Sequence, residues 1–323
     1  MLTFAGAYTA LVTPFSQDGT KVDLPRLAEH IHFQANGGVR GIVPCGTTGE
    51  APTLEEHEHI AVIECAVKTG KPLGLQVIAG AGSNSTSHAI HLHKLAASIG
   101  AHASLQVTPY YNKPSQEGIY QHFMAIADSA ELPIVLYNIP GRAAVAIAPE
   151  TIERLSKHPN IVALKEATGS MDSASEIRRR CSIVILSGDD SLTASFAAVG
   201  AVGVVSVVSN IVPEHVAQLC RDIASNDLGA VRNSHEKLFG LSRGLLSLDV
   251  NPVPLKCAME LLGRDTGSVR LPLVRASESV RSTVAALLRD AQIEDAQEVG
   301  GTGHPTVSRL TKSHKSQNAG ASL

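Results

Sequence analysis

The chain has 323 residues, 44% of them apolar, no tryptophan, and a formal net charge of -3. That length suits one large domain or two smaller ones, with a core built from Val, Ile, Leu and Ala. Lys and Arg are dispersed, so no basic stripe or tail offers itself to a nucleic acid, and no apolar run reaches the roughly 18–20 residues needed to span a bilayer.

The chain opens on MLTFAGAYTALVTPF, which has no basic residue ahead of its apolar stretch and does not read as a signal peptide. Within it, GAYTALVTPF is the first of eight apolar, β-branched runs; GIVPCGTTGE, LGLQVIAGAG, ASLQVTPYY, PIVLYNIPG, IVALKEATG, IVILSGDD and GVVSVVSN follow. The runs are continuous rather than alternating, as expected of parallel strands covered on both faces. Between them lie segments of helical pattern. PRLAEHIHFQANG stops at Gly37 and Gly38, and TSHAIHLHKLAASIG stops at Gly100. TLEEHEHIAVIECAVKTG opens on Thr53 with Glu56 three residues on, the form of a capping box.

These helical segments hold three His-x-His pairs: His30 and His32, His57 and His59, His91 and His93. Positions i and i+2 of a helix point apart, so the pairs read as solvated helix surface rather than as chelates, and no metal site is expected. The five cysteines, at 45, 65, 181, 220 and 257, are irregularly spaced. They read as reduced thiols of a cytoplasmic protein, and Cys45 as a small apolar filler.

Eight strand-helix repeats in about 225 residues predict a (β/α)8 TIM barrel, an α/β fold, over residues 1–226. A doubly wound open sheet is the alternative; no GxGxxG follows the first strand, which weakens its dinucleotide-binding form. Most runs end in polar or small residues: Thr13, Gly46-Thr47-Thr48, Thr108-Pro109-Tyr110-Tyr111, Tyr137-Asn138, Lys165-Glu166, Gly188-Asp189-Asp190 and Ser209-Asn210. In a barrel these ends gather on one rim, where active sites sit. Three helical segments then predict a small C-terminal helical domain over 227–294. Residues 295–323 are rich in Gly, Ser and Thr and read as a disordered tail.

Lys165 stands at the end of the sixth run. Strict alternation puts Ile161, Ala163 and Lys165 on one side of the strand and Val162, Leu164 and Glu166 on the other. If that first side faces the barrel interior, small Ala163 leaves room for a long side chain, and confinement disfavours the charged amine. A neutral amine is a nucleophile suited to a Schiff base with a carbonyl substrate; otherwise Lys165 stretches to solvent. Tyr137, on the neighbouring strand with Val135, is either a proton shuttle for that chemistry or a core tyrosine with a satisfied hydroxyl. The Gly46–Glu50 turn offers free backbone N–H groups and two Thr hydroxyls to a small anion such as a carboxylate, although Gly-Thr-rich turns are common.

Taken together, GTTGEAPTLEEHE, TPYYNKPSQEGIYQHF, LYNIPGR, LKEATG, LSGDD and NPVPLK resemble the pyruvate-dependent class I aldolase superfamily, and within it the dihydrodipicolinate synthases, over about residues 4–292. The resemblance implies condensation of pyruvate with L-aspartate 4-semialdehyde to 4-hydroxy-tetrahydrodipicolinate, in lysine and diaminopimelate biosynthesis, without metal or organic cofactor. It implies that Lys165 forms the imine, that Tyr137 relays protons, and that Thr47 links Tyr137 to a Tyr111 supplied by a neighbouring subunit. It further implies that Thr48 binds the pyruvate carboxylate, that Arg142 holds the carboxylate of the second substrate, and that Gly188 and Val205 complete the substrate site. A homotetramer, a dimer of dimers, follows. The superfamily also holds N-acetylneuraminate lyase and keto-deoxy-sugar aldolases, and a non-catalytic barrel is a further alternative.

The doubled Thr, the doubled Tyr and Arg142 favour the synthase. Ala143-Ala144 departs from the usual Thr-Gly after the arginine and bears on the second substrate. Lysine-sensitive members commonly carry a His at the position of Glu56 and a Glu at that of His88. His59, Asn84 and Tyr110 match them, but those two positions do not. Weak or absent lysine inhibition is therefore expected.

Overall fold

In the computed structural model, which describes residues 3–293, the eight runs form eight parallel strands: β1 (Gly6–Ala10), β2 (Gly41–Val43), β3 (Gln76–Gly80), β4 (Ala103–Val107), β5 (Ile134–Asn138), β6 (Ile161–Glu166), β7 (Val184–Ser187) and β8 (Gly203–Ser206). They pair in chain order and β8 returns to β1, so the sheet is a closed barrel rather than an open one. Strands β3 and β5 are buried at every position, as double coverage requires.

Helices α1 (Leu24–Asn36), α2 (Glu56–Gly70), α3 (Thr86–Ile99), α4 (Gln116–Ala127), the single turn α5 (Pro140–Ala143), α6 (Pro149–Leu155), α7 (Met171–Arg180), α8 (Thr193–Ala198) and α9 (Pro213–Ala224) form the outer layer. Then come α10 (Leu228–Leu248), α11 (Val253–Leu261) and α12 (Glu278–Asp290), which pack on one another, with α10 lying along α9. Their buried residues, among them Leu241, Leu255 and Val284, join the same apolar cluster as barrel residues Tyr8, Ile42 and Val205. Among the described residues no helix is long and apolar enough to cross a membrane. The expected tail at 295–323 lies outside the described residues.

Three local expectations are corrected. Helix α2 is capped by Glu55, whose N–H donates to the Glu58 carboxylate at 3.0 Å. Thr53 instead closes a 3₁₀ turn with Pro52, its hydroxyl donating to Glu50 O at 3.0 Å.

The His pairs are not wholly solvated. Their rings do point apart, but His30, His59 and His93 are the buried members. Each is held by one hydrogen bond: His30 to Arg264 O, His59 to Gly80 O, His93 to Ser104 Oγ. Burial pushes all three below the usual histidine pKa.

Strand β6 does not alternate strictly. Its register with β5 runs Ile134 to Ile161 and then Val135 to Ala163, so Val162 is an extra residue. The bulge turns Ile161 outward, where it packs with Leu164, Ile134 and Phe123 under the helices. Only Ala163 and Lys165 of the predicted trio share the inner face.

Candidate active site

Tyr137 of β5 and Lys165 of β6 are direct register partners, and Leu186 of β7 continues the same row. Residues paired in register point to the same side of a sheet. Outward neighbours Leu136, Leu164 and Ile185 sit in the helix-facing cluster, whereas Tyr137, Ala163 and Leu186 do not. Lys165 is 6% exposed, and its Nζ lies 4.1 Å from the centroid of the Tyr137 ring. It therefore points into the barrel and does not stretch to solvent. Among the described residues it has no ion-pair partner. The Tyr137 hydroxyl likewise has no hydrogen-bond partner among them, so the side chain is not a core tyrosine tied off by its neighbours.

Gly188 closes the wall beside this amine. A Cβ there would stand 3.2 Å from Lys165 Cε and 2.7 Å from Ala167 Cβ. The lysine stem lies against the missing side chain. Gly188→Ala is thus expected to push on Ala167 and the Glu166 carbonyl as well as on the lysine stem, and so to displace the amine. Misplacing a reacting group by about 1 Å costs on the order of 10²-fold. That loss should appear in the rate of borohydride-trapped adduct formation with a keto acid, and an unchanged rate would show that the stem does not depend on this contact.

The β2–α2 loop carries the Thr pair. Cys45 and Glu50, which flank the turn, both take the left-handed backbone conformation, with φ of 55° and 53°. Strain of this kind in non-Gly residues collects at functional sites. Thr13, at the end of the first run, ties the turn down by donating to Gly49 O at 2.7 Å. Thr48 is buried and its Oγ1 accepts from Asn251 Nδ2 at 3.0 Å. Buried Cys45 donates only to His59 O, and burial pushes its thiol far up the pKa scale, as fits a filler.

A cavity of about 540 Å³ opens from this rim, lined in part by Thr47, Tyr137, Arg142, Ala143, Val107 and Leu105. Thr48 and Lys165 lie outside that lining. Arg142 stands on α5, in a loop fixed from below. Asn138 Oδ1 accepts from Ile147 N at 3.0 Å, and Asn138 Nδ2 donates to Glu166 at 3.3 Å. Ala144 follows in the left-handed region, φ 60°. The far end of the same cavity is lined by Glu56, His59, Asn84, His88 and Tyr110. Glu56 accepts from His91 Nε2 at 3.0 Å, and this contact holds its carboxyl below the usual range.

Tyr111 is not brought to this cavity. It is 88% exposed and left-handed at φ 74°. The other rim residues serve as clips. Asp190 accepts from Val207 N and Val208 N, and burial pushes its pKa up to about 6. Asn210 bridges Ala10 O and Val12 N, sealing β8 to β1.

Sequence reasoning missed a second buried lysine. Lys256 of α11 is 0% exposed, and its Nζ donates to Glu50 Oε1 at 2.6 Å, Thr13 O at 2.7 Å and Ser268 O at 2.9 Å. Burial pushes its pKa down against the pull of Glu50. Arg270 N donates to the other Glu50 oxygen at 3.0 Å, while its guanidinium grips Glu58. The available signal was an ammonium inside the apolar run PVPLKCAME.

Comparison with known proteins bears on the whole of this arrangement. The model of the Dihydrodipicolinate synthetase family matches residues 3–291. A curated relative named 4-hydroxy-tetrahydrodipicolinate synthase, from Pelobacter propionicus, is 46% identical over 290 residues, which is 88% of this chain and 98% of that protein. A crystal structure of the chloride-inhibited dihydrodipicolinate synthase from Acinetobacter baumannii, complexed with pyruvate, superposes with a TM-score of 0.87 at 38% identity, covering 90% of this chain and 100% of the other. The Cyanidioschyzon merolae enzyme with lysine bound also gives a TM-score of 0.87 at 38% identity, covering 90% and 99%. With the match running through barrel and C-terminal helices alike, the chain belongs to the dihydrodipicolinate synthetase family.

Proposed function

We propose that the chain is a class I aldolase-type lyase, a 4-hydroxy-tetrahydrodipicolinate synthase, which condenses pyruvate with L-aspartate 4-semialdehyde. The observation that carries this is Lys165 buried inside a closed barrel against the Tyr137 ring, free of any ion pair among the described residues. The amine attacks the pyruvate ketone to give a carbinolamine, which loses water to become a protonated imine. The imine draws electrons from the methyl group, which gives up a proton and becomes an enamine. The enamine adds to the aldehyde. The amine of the second substrate then displaces Lys165, closing the ring and freeing the enzyme.

Each transfer needs a proton carrier, and the Tyr137 phenol, whose ring lies beside the amine and lines the cavity, supplies it in this reading. Thr48 and the turn N–H groups take the pyruvate carboxylate. Arg142, at the mouth, takes the second carboxylate through a guanidinium fork. Gly188 and Val205 shape the wall. Borohydride reduction in the presence of pyruvate, followed by coupled assay with aspartate semialdehyde or N-acetylneuraminate, tests the reading. An adduct with turnover of only the latter would favour the lyase, the alternative that Ala143-Ala144 keeps open.

The working unit in this reading is a homotetramer built of tight dimers, in the cytoplasm, where five unpaired thiols are at home. Tyr111 supports the dimer: its side chain is 88% exposed and does not line its own cavity, which leaves it available to a neighbour. There it completes the relay through Thr47 to the partner's phenol. Tyr111→Phe is expected to lower kcat by about 10²-fold, the usual lower bound for a lost proton-transfer group, with the fold unchanged. A variant at the wild-type rate would remove Tyr111 from the relay.

Feedback by lysine is expected to be weak or absent. A lysine ammonium needs a carboxylate, but His88 stands where a carboxylate would serve, and Glu56 is already engaged by His91. Initial rates at 1 mM added lysine should stay close to those without it; saturable inhibition below that concentration would contradict the reading.

A further inference from the structure

The β2–α2 loop is fastened by Thr13 and Gly80 from the barrel and also by the segment 251–270, which lies some two hundred residues further along the chain. Glu50, the last residue of the turn, has both carboxylate oxygens bound from that segment, one by Lys256 Nζ and the other by Arg270 N. Lys256 spends its three protons on Glu50, Thr13 O and Ser268 O, and its Nζ also lies 4.1 Å from the Phe15 ring centroid. All its donors are engaged and it is fully buried, so it has no access for chemistry of its own. Thr48 is reached separately. Asn251 Nδ2 donates to Thr48 Oγ1, which leaves the Thr48 hydroxyl hydrogen to be donated elsewhere. The two contacts therefore fix both where the turn sits and which way its hydroxyl points.

We propose that segment 251–270 is a positioning element for the carboxylate-binding turn, acting through Lys256 on Glu50 and through Asn251 on Thr48. It rests on the reading that Thr48 binds the pyruvate carboxylate. An ion pair that merely stabilised the fold would set the melting temperature. A positioning pair sets the affinity for the keto acid, and does so only while Thr48 is present to be positioned.

The test is a double-mutant cycle on the full chain, read as the pyruvate concentration giving half-maximal borohydride trapping and as the limiting trapping rate. Glu50→Gln with Lys256→Met removes both charges together, so neither is stranded. The expected result is a half-saturating pyruvate concentration raised about tenfold with the limiting rate within about threefold. In a Thr48→Val background the same pair of changes should raise it less than about twofold, since coupled residues are non-additive. Restoring the ion pair in either background should restore that background's own value.

A folded double variant with the wild-type half-saturation overturns the proposal, and so does an equal effect in both backgrounds. Should the double variant not fold, Asn251→Ala, which removes no charge, decides by the same cycle: a rise only where Thr48 is present supports the proposal, and any other result overturns it. A wild-type chain that traps no pyruvate overturns the functional reading as well. A chain that traps pyruvate while the cycle stays flat overturns this inference alone.

Discussion

Lys165→Ala should give a folded protein that gains no mass when pyruvate and borohydride are added together, and whose turnover falls to background. Loss of a covalent nucleophile costs on the order of 10⁶-fold in turnover where it has been measured most carefully. Among the described residues two lysines are buried, one on β6 and one on α11, and their surroundings decide between them. Lys256 is enclosed by Glu50 and two carbonyl oxygens, which hold its ammonium and consume its donors. Each amine lies 4.1 Å from an aromatic ring centroid, but Lys165 has no carboxylate in ion-pair range among the described residues. A Schiff-base amine must be free to reach a carbonyl carbon, and Lys165 Nζ, unlike Lys256 Nζ, holds no hydrogen bond or ion pair among the described residues. Lys165→Met, which keeps the length of the stem, controls for packing: it too should melt near the wild-type temperature and take up no pyruvate. Peptide mapping of the reduced wild-type adduct should place the added mass on the peptide containing IVALKEATG. An adduct persisting in folded Lys165→Ala would transfer the role to another amine and undo the proposed chemistry.

How far the sequence reaches can be read from particular residues. All eight strands were visible because each is a continuous apolar run, and a buried parallel strand leaves no other option to its side chains. Helix ends at Gly38 and Gly100 were visible because glycine takes the left-handed backbone that stops a helix, at φ 75° and 89°, whereas Gly37 stays right-handed and makes room for Pro213. The failures are also physical. The bulge at Val162 depends on how two strands register, which no local pattern records. His30, His59 and His93 are polar by type yet buried, because each finds one hydrogen-bond partner: His59 and His93 on strands β3 and β4, His30 on the loop after α11. The Glu50–Lys256 pair spans 206 positions and could not be matched from spacing. What the rim residues do was legible chiefly through family resemblance: strand alternation brought Lys165 and Tyr137 to the same rim, but left each with two readings.

Tyr137→Phe tests the remaining half of the chemistry. The substitution deletes one oxygen and keeps the ring, so the contact with Lys165 Nζ at 4.1 Å survives. The hydroxyl has no hydrogen-bond partner among the described residues, so its removal costs the folded state no internal bond. The melting temperature should hardly move. Catalysis should move a great deal. Carbinolamine formation, loss of water and ring closure each require a proton to be delivered or removed inside a confined cavity. Losing a positioned acid-base group typically costs about 10²–10⁴-fold. The expected pattern is a kcat reduced within that range, slow formation of the trapped pyruvate adduct, and an end-point that still reaches full occupancy, because Lys165 is intact. This separates the two residues: Lys165→Ala removes the adduct, whereas Tyr137→Phe delays it. A Tyr137→Phe enzyme within about threefold of the wild-type kcat would reduce Tyr137 to a packing residue beneath the amine, and water or another rim hydroxyl would have to carry the protons.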